Sequence, residues 1–328
     1  MDINIAPEIL AFAQQIVKNA IGTNVKVNGF EWSDGGGLFC KVFKINTTDG
    51  NFILKAERDK VFFATRKNQI ENEVLGNELF QKAGISCPNI FAYDFTKNND
   101  MKARYIFTEC LNPDWLNFDD IDEATKSEIT RQFLTAVEKM RTITCSHFGS
   151  VSPSGILGRH ETYDGYYHST LNLLMNESEE LGLFTDEELA IVKKAAEKPL
   201  VYSKKYTPTF NHGDIGYHNA IWGNVNGGEN KLYIFDFGNA YYGLPYYEEY
   251  ICKTHGENVD IVKIMGLDRN LYDNFLIGYF EKMFWTVTQQ LTEDYVYGRM
   301  ADWTESVKKE ATRNHITEFV DRCREIIS

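Results

Sequence analysis

The stretch Phe210 to Ala240 restricts the possible fold more than any other part of the chain. Within it, Ala220 to Trp222 and Lys231 to Phe235 are rich in β-prone residues, and the segment Gly223 to Asn230 between them is rich in glycine and asparagine. Two β-prone runs joined by such a segment are typical of a hairpin. We therefore predict an antiparallel pair of strands here.

Polar side chains lie on both sides of this hairpin. Asp214 and Asn219 precede the first strand, and Asp236 follows the second. We expect Asn224 to pair with Lys231. In that register Asn219 falls opposite Asp236, so both side chains lie at the same end of the hairpin. Phosphoryl transfer needs one carboxylate to orient and deprotonate the attacking hydroxyl, and oxygen ligands to hold Mg²⁺ against the nucleotide phosphates. The hairpin is thus predicted to supply all three groups in one place.

The order of these residues is that of kinases, in which a catalytic Asp is followed by four residues, an Asn, two strands and an Asp-Phe-Gly triplet. Here the two triplets are His212-Gly213-Asp214 and Asp236-Phe237-Gly238. The stretch resembles the aminoglycoside phosphotransferase and choline kinase family, which shares the protein kinase fold but phosphorylates small molecules. The resemblance implies that Asp214 is the catalytic base, that Asn219 and Asp236 bind Mg²⁺, and that His212 supports the loop. The alternative is that these residues only cap turns.

The N-terminal part of the chain is predicted to form a helix followed by a small sheet. Pro7 to Ala20 has the apolar period of a helix. Three β-like segments follow it, namely Val25 to Trp32, Phe39 to Ile45 and Asn51 to Ala56. Gly35, Gly36 and Gly37 separate the first two strands, where a kinase places its phosphate-covering loop, but an ordinary flexible hairpin fits them equally well. The chain has no G-x-x-x-x-G-K-[ST] sequence, which argues against a P-loop enzyme.

The third strand carries a candidate nucleotide-binding lysine. Ile53 and Lys55 share one face of this strand by the alternation of strand side chains. That face suits a nucleotide, with Ile53 against the base and Lys55 on the phosphates, although a solvated lysine would show the same pattern. A helix is predicted over Thr65 to Ala83, and the resemblance implies that Glu73 on it pairs with Lys55. Two neighbouring acidic residues, Glu71 and Glu78, remain alternatives.

Two further strands, Asn89 to Asp94 and Arg104 to Thr108, complete a five-stranded lobe. The resemblance implies that the chain then crosses to a second lobe, and that the backbone of Glu109, Cys110 and Leu111 binds the adenine edge. We therefore expect a nucleotide-binding lobe over residues 1–110 and a catalytic, acceptor-binding lobe over residues 111–328.

The second lobe is predicted to be mostly helical. Ile121 to Thr144 has the stripe of a long amphipathic helix. Ser150 to Tyr167 reads as irregular, Ser169 to Pro199 as two helices, and Glu257 to Ser328 as largely helical. In the irregular region Tyr163, Asp164, Tyr166 and Tyr167 either line an acceptor site or form a packed tyrosine loop.

Charge and composition narrow the function class. The 34 Lys and Arg residues against 47 Asp and Glu residues give a net charge of −13, which argues against a nucleic-acid partner. This charge suits a cationic acceptor, and solubility explains it equally well. The 6 cysteines show no metal-ligand spacing, and we find neither a secretory signal nor an apolar run long enough for a membrane helix. We expect a cytoplasmic protein with no membrane partner.

The sequence thus predicts an α+β, protein-kinase-like two-lobed fold, with a small antiparallel-sheet N-lobe and a larger, mostly helical C-lobe. The expected reaction, implied by the resemblance, is transfer of the γ-phosphoryl group of ATP or GTP, with Mg²⁺, to a hydroxyl of an aminoglycoside-, choline- or sugar-like acceptor. Two alternatives remain open, a protein kinase acting on peptides and a catalytically silent pseudokinase that only binds nucleotide. Against the former, no Ala-Pro-Glu segment follows Gly238.

Overall fold

A computed structural model describes residues 7–32, 40–58, 69–111, 121–197, 206–224, 229–244 and 305–328. The described helices are α1 (Pro7–Ala20), α2 (Gln69–Lys82), α3 (Glu123–Met140), α4 (Tyr163–Glu180), α5 (Asp186–Ala196) and α6 (Glu305–Ile327). The described strands are β1 (Val27–Trp32), β2 (Cys40–Thr47), β3 (Gly50–Glu57), β4 (Ile90–Asp94), β5 (Tyr105–Glu109), β6 (Phe148–Ser150), β7 (Arg159–His160), β8 (Thr209–Asn211), β9 (Ala220–Gly223), β10 (Lys231–Ile234) and β11 (Tyr241–Gly243). Among these residues, no helix is both long and apolar enough to cross a membrane.

The chain divides into two compact units. One holds the described residues of Met1–Lys60, Asn68–Ile143 and His212–Ala240, and the other those of Val61–Lys67, Thr144–Asn211 and Tyr241–Ser328. These units divide the chain at other positions than residue 110. The two lobes expected over residues 1–110 and 111–328 remain a prediction.

The first unit contains the predicted five-stranded antiparallel sheet, in the order β1-β2-β3-β5-β4. Alternate residues of β3, among them Phe52 and Leu54, are buried and face the apolar side of α1. Ala13 and Val17 on that side of α1 are fully buried, so the core of the unit lies between the helix and the sheet. Burial of this one face leaves the opposite face of β3, with Ile53 and Lys55, at the partly exposed side of the sheet. The predicted alternation along β3 is therefore confirmed.

The predicted hairpin is formed by β9 and β10, but its register differs from the predicted one. Lys231 pairs with Gly223 rather than with Asn224. The backbone N–H of Phe235 accordingly donates to the carbonyl of Asn219, at 3.1 Å. The prediction that Asn219 lies opposite Asp236 was therefore wrong by one residue. A glycine- and asparagine-rich turn accommodates more than one loop length, so sequence alone does not select the register.

The second unit combines a four-stranded sheet, in the order β7-β6-β11-β8, with α4, α5 and α6. Helix α4 begins at Tyr163, where the Thr162 side chain accepts a hydrogen bond from Gly165 N as the N-cap. The prediction of irregular structure up to Tyr167 was therefore wrong at its end. Tyr163 and Tyr167 belong to the apolar face of this helix and are 2% exposed, because a tyrosine ring buries as readily as other large apolar groups.

Candidate active site

Lys55 on β3 connects two acidic side chains. Its Nζ donates to Oε2 of Glu73 at 2.6 Å and also bonds to Oδ1 of Asp236. Glu73 lies on α2 and is the acidic residue that pairs with Lys55, as predicted. The alternative Glu78 instead forms a 3.6 Å ion pair with Lys82 on the same helix. The fold thus brings together three predicted site residues, from β3, from α2 and from the segment after β10.

The charges of this cluster are coupled. Burial raises the pKa of Glu73 to about 7, even though the Lys55 charge opposes the shift. For Asp236 partial burial acts in the same direction, but the charge and the hydrogen bond of Lys55 outweigh it and hold the pKa below its usual value. Burial alone would lower the pKa of Lys55, yet the charges of Asp236 and Glu73 hold it well above 10.5. Lys55 therefore remains a cation between the two acids.

Asp236 has a left-handed backbone, with φ 67° and ψ 55°. Among the described residues, Lys102 is the other non-glycine residue with positive φ. This conformation is unfavourable for a residue with a side chain and persists where the surroundings impose it. It redirects the chain at the end of β10, and the Asp236 carboxylate reaches Lys55 from there.

Helix α2 holds the segment that follows Asp236. The ring of Phe237 lies 4.6 Å from that of Phe80 and 4.8 Å from that of His212, measured between ring centroids. The Gln69 side chain donates to Oδ1 of Asn239 at 2.8 Å, and Asn72 Nδ2 donates to the carbonyl of Gly238 at 3.2 Å. An aromatic contact and two side-chain hydrogen bonds therefore join α2 to the turn that carries Asp236.

The loop before Asp214 is held by a buried histidine and a glycine. The imidazole Nε2 of His212 donates to the carbonyl of Phe235 at 2.9 Å. Burial lowers the pKa of His212 to about 4, against the charge of Asp214, so the ring is neutral at physiological pH. Gly213 has φ 86°, and a Cβ there would lie 2.1 Å from the carbonyl oxygen of Asn239. Only glycine fits at this position.

Asp214 is held by two side chains that follow it in the sequence. The side-chain nitrogen of Asn219 donates to Oδ2 of Asp214 at 3.0 Å and to its backbone carbonyl at 2.8 Å. His218 Nε2 bonds to the other carboxylate oxygen, Oδ1, at 3.2 Å. His218 is not among the site residues predicted from the sequence. Its position within the motif, four residues after the predicted base, was the available signal.

The residues present fit a magnesium ion. Asn219 directs its amide nitrogen to Asp214, which leaves the amide oxygen as the atom able to bind a cation. Asp236 adds a carboxylate that is 41% exposed. In the part of the chain that the structure describes, no cluster of three or more His, Cys, Asp or Glu residues could hold a metal. One carboxylate and one amide suit Mg²⁺, which usually takes few protein ligands beside substrate phosphates and water.

The structure constrains the residues expected at the adenine edge. The N–H of Glu109 donates to the carbonyl of Asn89 at 3.0 Å, and the N–H of Cys110 donates to the carbonyl of Asn51 at 3.2 Å. The Glu109 carboxylate accepts bonds from Asn89 at 2.8 and 3.0 Å. The N–H groups of Glu109 and Cys110 are thus used within the sheet, which leaves the N–H of Leu111 and the backbone carbonyls of the three residues as the candidates. Gly35, Gly36 and Gly37 lie outside the described residues.

The fold and the site together define a protein-kinase-like phosphotransferase, and comparison with known proteins agrees. Residues 35–283 match the model of the phosphotransferase enzyme family, so the chain belongs to that family. By family it is therefore a phosphotransferase. A search of curated proteins found no match.

Solved structures with low sequence identity share the fold. A putative fructosamine-3-kinase from Haemophilus somnus 129PT has a TM-score of 0.63 at 14% identity, over 94% of this chain and 97% of that chain. The APH(2″)-IIa aminoglycoside phosphotransferase with streptomycin and ATP has a TM-score of 0.58 at 17% identity, over 99% of each chain. A thermostable mutant of aminoglycoside phosphotransferase APH(4)-Ia with AMP-PNP and hygromycin B has a TM-score of 0.57 at 14% identity, over 96% of this chain and 97% of that chain. The predicted α+β two-lobed kinase-like fold is therefore confirmed.

Proposed function

We propose that this protein transfers the γ-phosphoryl group of ATP or GTP to a hydroxyl of a small, amino-bearing acceptor. One observation carries the proposal. Asp214, which Asn219 holds, belongs to the same compact unit of the chain as the cluster of Lys55, Glu73 and Asp236. These are the groups that phosphoryl transfer requires.

Each residue has a distinct part in this reaction. Asp214 accepts the proton of the acceptor hydroxyl, whose oxygen bonds to the γ-phosphorus as the bond to the bridging oxygen breaks. Lys55, positioned by Glu73, binds the phosphates. Asn219 and Asp236 would hold Mg²⁺, which supplies positive charge to the phosphate oxygens when it is bound. Ile53 packs against the base, and the backbone of Leu111 binds its edge.

Similar proteins and net charge support the choice of acceptor class. Among the similar structures, two are complexes with streptomycin or hygromycin B, and a third is a putative fructosamine-3-kinase. Streptomycin, hygromycin B and fructosamines are polyols that carry amino groups. The net charge of −13 favours such a cation over an anionic acceptor. Cytoplasmic location and the lack of a nucleic-acid partner remain predictions from sequence.

The test is an acceptor screen with a direct readout of phosphate transfer. Purified protein with Mg²⁺ and either ATP or GTP is incubated with fructoselysine, streptomycin, hygromycin B, kanamycin or choline, and phosphorylated products are measured by mass spectrometry. Asp214→Asn should reduce turnover by orders of magnitude while nucleotide affinity is nearly unchanged. Asp236→Ala should instead weaken Mg²⁺-dependent nucleotide binding.

Three outcomes would contradict the proposal or its assignment of the base. Phosphorylation of proteins in an extract, with no small molecule labelled, would favour the peptide-kinase alternative. Mg²⁺-dependent nucleotide binding without turnover on any acceptor would favour a pseudokinase. Wild-type turnover in the Asp214→Asn variant would show that the base has been assigned to the wrong residue.

A further inference from the structure

The carboxylate of Asp214 is held on both of its oxygens. Asn219 donates to Oδ2 at 3.0 Å, and His218 Nε2 lies 3.2 Å from Oδ1. An ionised carboxylate only accepts hydrogen bonds, so Nε2 is the donor in this contact. Each of the two carboxylate oxygens of Asp214 therefore has a side-chain donor.

The two donors come from consecutive residues of one short 3₁₀ turn, Tyr217–Asn219. Successive side chains of a 3₁₀ helix point about 120° apart, so neighbours can approach a third group from two sides. Tyr217 fixes this turn to α3, because its hydroxyl lies 3.2 Å from Thr130 Oγ1 and its ring centroid lies 4.9 Å from that of Phe133. His218 is thus attached to a well-supported element.

We propose that His218 is a positioning residue for the base, a role that rests on the proposed function. It acts through Asp214 by setting the direction in which the carboxylate presents its lone pairs to the acceptor hydroxyl. A catalytic group must be held close to its productive orientation, and small misplacements reduce turnover strongly. His218 is 43% exposed and Asp214 37% exposed, so the pair is accessible to a substrate and is not required to fill the core.

Two substitutions at the same position separate positioning from a purely structural role. Gln also carries a side-chain N–H donor on a side chain of similar length, whereas Leu fills similar space without a donor. We expect His218→Leu to lower kcat roughly 10- to 100-fold, with little change in the KM for ATP or in melting temperature. We expect His218→Gln to recover most of that loss.

The assay measures ADP release from Mg²⁺·ATP, with fructoselysine and then with water as the acceptor. The matched control is His315→Leu, because His315 also faces a carboxylate, that of Glu318 at 3.6 Å, but belongs to the other unit. Its ADP release should equal that of the wild type. Equal kcat values in the His218→Leu and wild-type proteins would overturn the proposal, and so would a Gln variant as slow as the Leu variant.

A structural readout distinguishes this inference from the proposed function. Crystal structures of the wild-type, Gln and Leu proteins should show the Asp214 carboxylate rotated in the Leu variant alone, with its Asn219 contact kept. An unrotated carboxylate in the Leu variant would refute the positioning role even if the protein is a kinase. A rotated carboxylate in a protein that turns over no acceptor would refute the proposed function and leave His218 without a catalytic consequence.

Discussion

Phe237 packs directly on Gly76 of helix α2. A Cβ at position 76 would lie 2.6 Å from the Cβ of Phe237 and 3.1 Å from its Cγ. Real Cβ atoms do not approach other carbons so closely, so the glycine allows the helix and the turn after Asp236 to touch. The position of the turn that carries Asp236 therefore depends on a residue in a helix that is distant from it in sequence.

We expect Gly76→Ala to lower stability and to weaken Mg²⁺·nucleotide binding together. Alanine favours the helix by about 1 kcal/mol, but forcing a methyl group into a packed site costs roughly 1–3 kcal/mol and displaces Phe237. Thermal unfolding and nucleotide titration would measure both effects. The control is Lys82→Ala on the exposed side of the same helix, which should leave both unchanged. A more stable Gly76→Ala protein with wild-type affinity would contradict the packing argument.

Lys55→Met should remove nucleotide binding and also destabilise the fold. Lys55 is 14% and Glu73 11% exposed, so the change leaves a buried acid without its cation, at a cost of roughly 3–5 kcal/mol. The measurements are nucleotide affinity and urea unfolding. Replacing both residues by Met should recover part of the stability but none of the affinity. If the double variant were as unstable as Lys55→Met, the buried charge would not be the cause.

The buried His212 predicts a pH dependence of stability. Its pKa is lowered in the folded protein to about 4, from 6.5 in the unfolded chain, so the unfolded state binds the proton more strongly. Its contribution to stability is therefore complete above about pH 6.5 and is lost as the pH falls towards 4. The full loss of unfolding free energy from this group is about 3 kcal/mol.

Urea unfolding of the wild type and of His212→Asn between pH 4.5 and 8 would check this effect. Asn keeps a side-chain donor but does not titrate, so the slope of unfolding free energy against pH should be smaller in the variant. Equal slopes in the two proteins would show that another group titrates.

Helix α5 offers a test in the second unit. Thr185 caps this helix by accepting a bond from Glu188 N at 3.3 Å, and the Glu188 carboxylate accepts one from Thr185 N at 2.9 Å. Thr185→Ala should lower the free energy of unfolding by about 1 kcal/mol. The control is Thr317→Ala inside α6, where alanine is the better helix former and no loss is expected. Equal effects in the two variants would argue against a contribution from the cap.

Local patterns in the sequence were sufficient to predict most of the described elements and to place the candidate site residues on them. The alternation along β3 placed Lys55 on its face, and the β-prone runs around Gly223 to Asn230 gave the hairpin with Asp214, Asn219 and Asp236 at its ends. These features repeat over a few residues, and backbone geometry translates them directly into strands and turns. Helix α4 was misplaced at its start because the buried residues of its first turns are tyrosines.

Tertiary structure decided the contacts between residues that are far apart in the chain. The pairing of Lys55 with Asp236, the left-handed backbone at Asp236 and the contact of Phe237 with Gly76 depend on how α2 packs on the turn after β10. No local pattern specifies such packing, since it is selected by the shape and burial of the whole unit. The hairpin register and the bond from His218 to Asp214 were settled in the same way, because a shift of one residue or one rotamer leaves the sequence pattern unchanged.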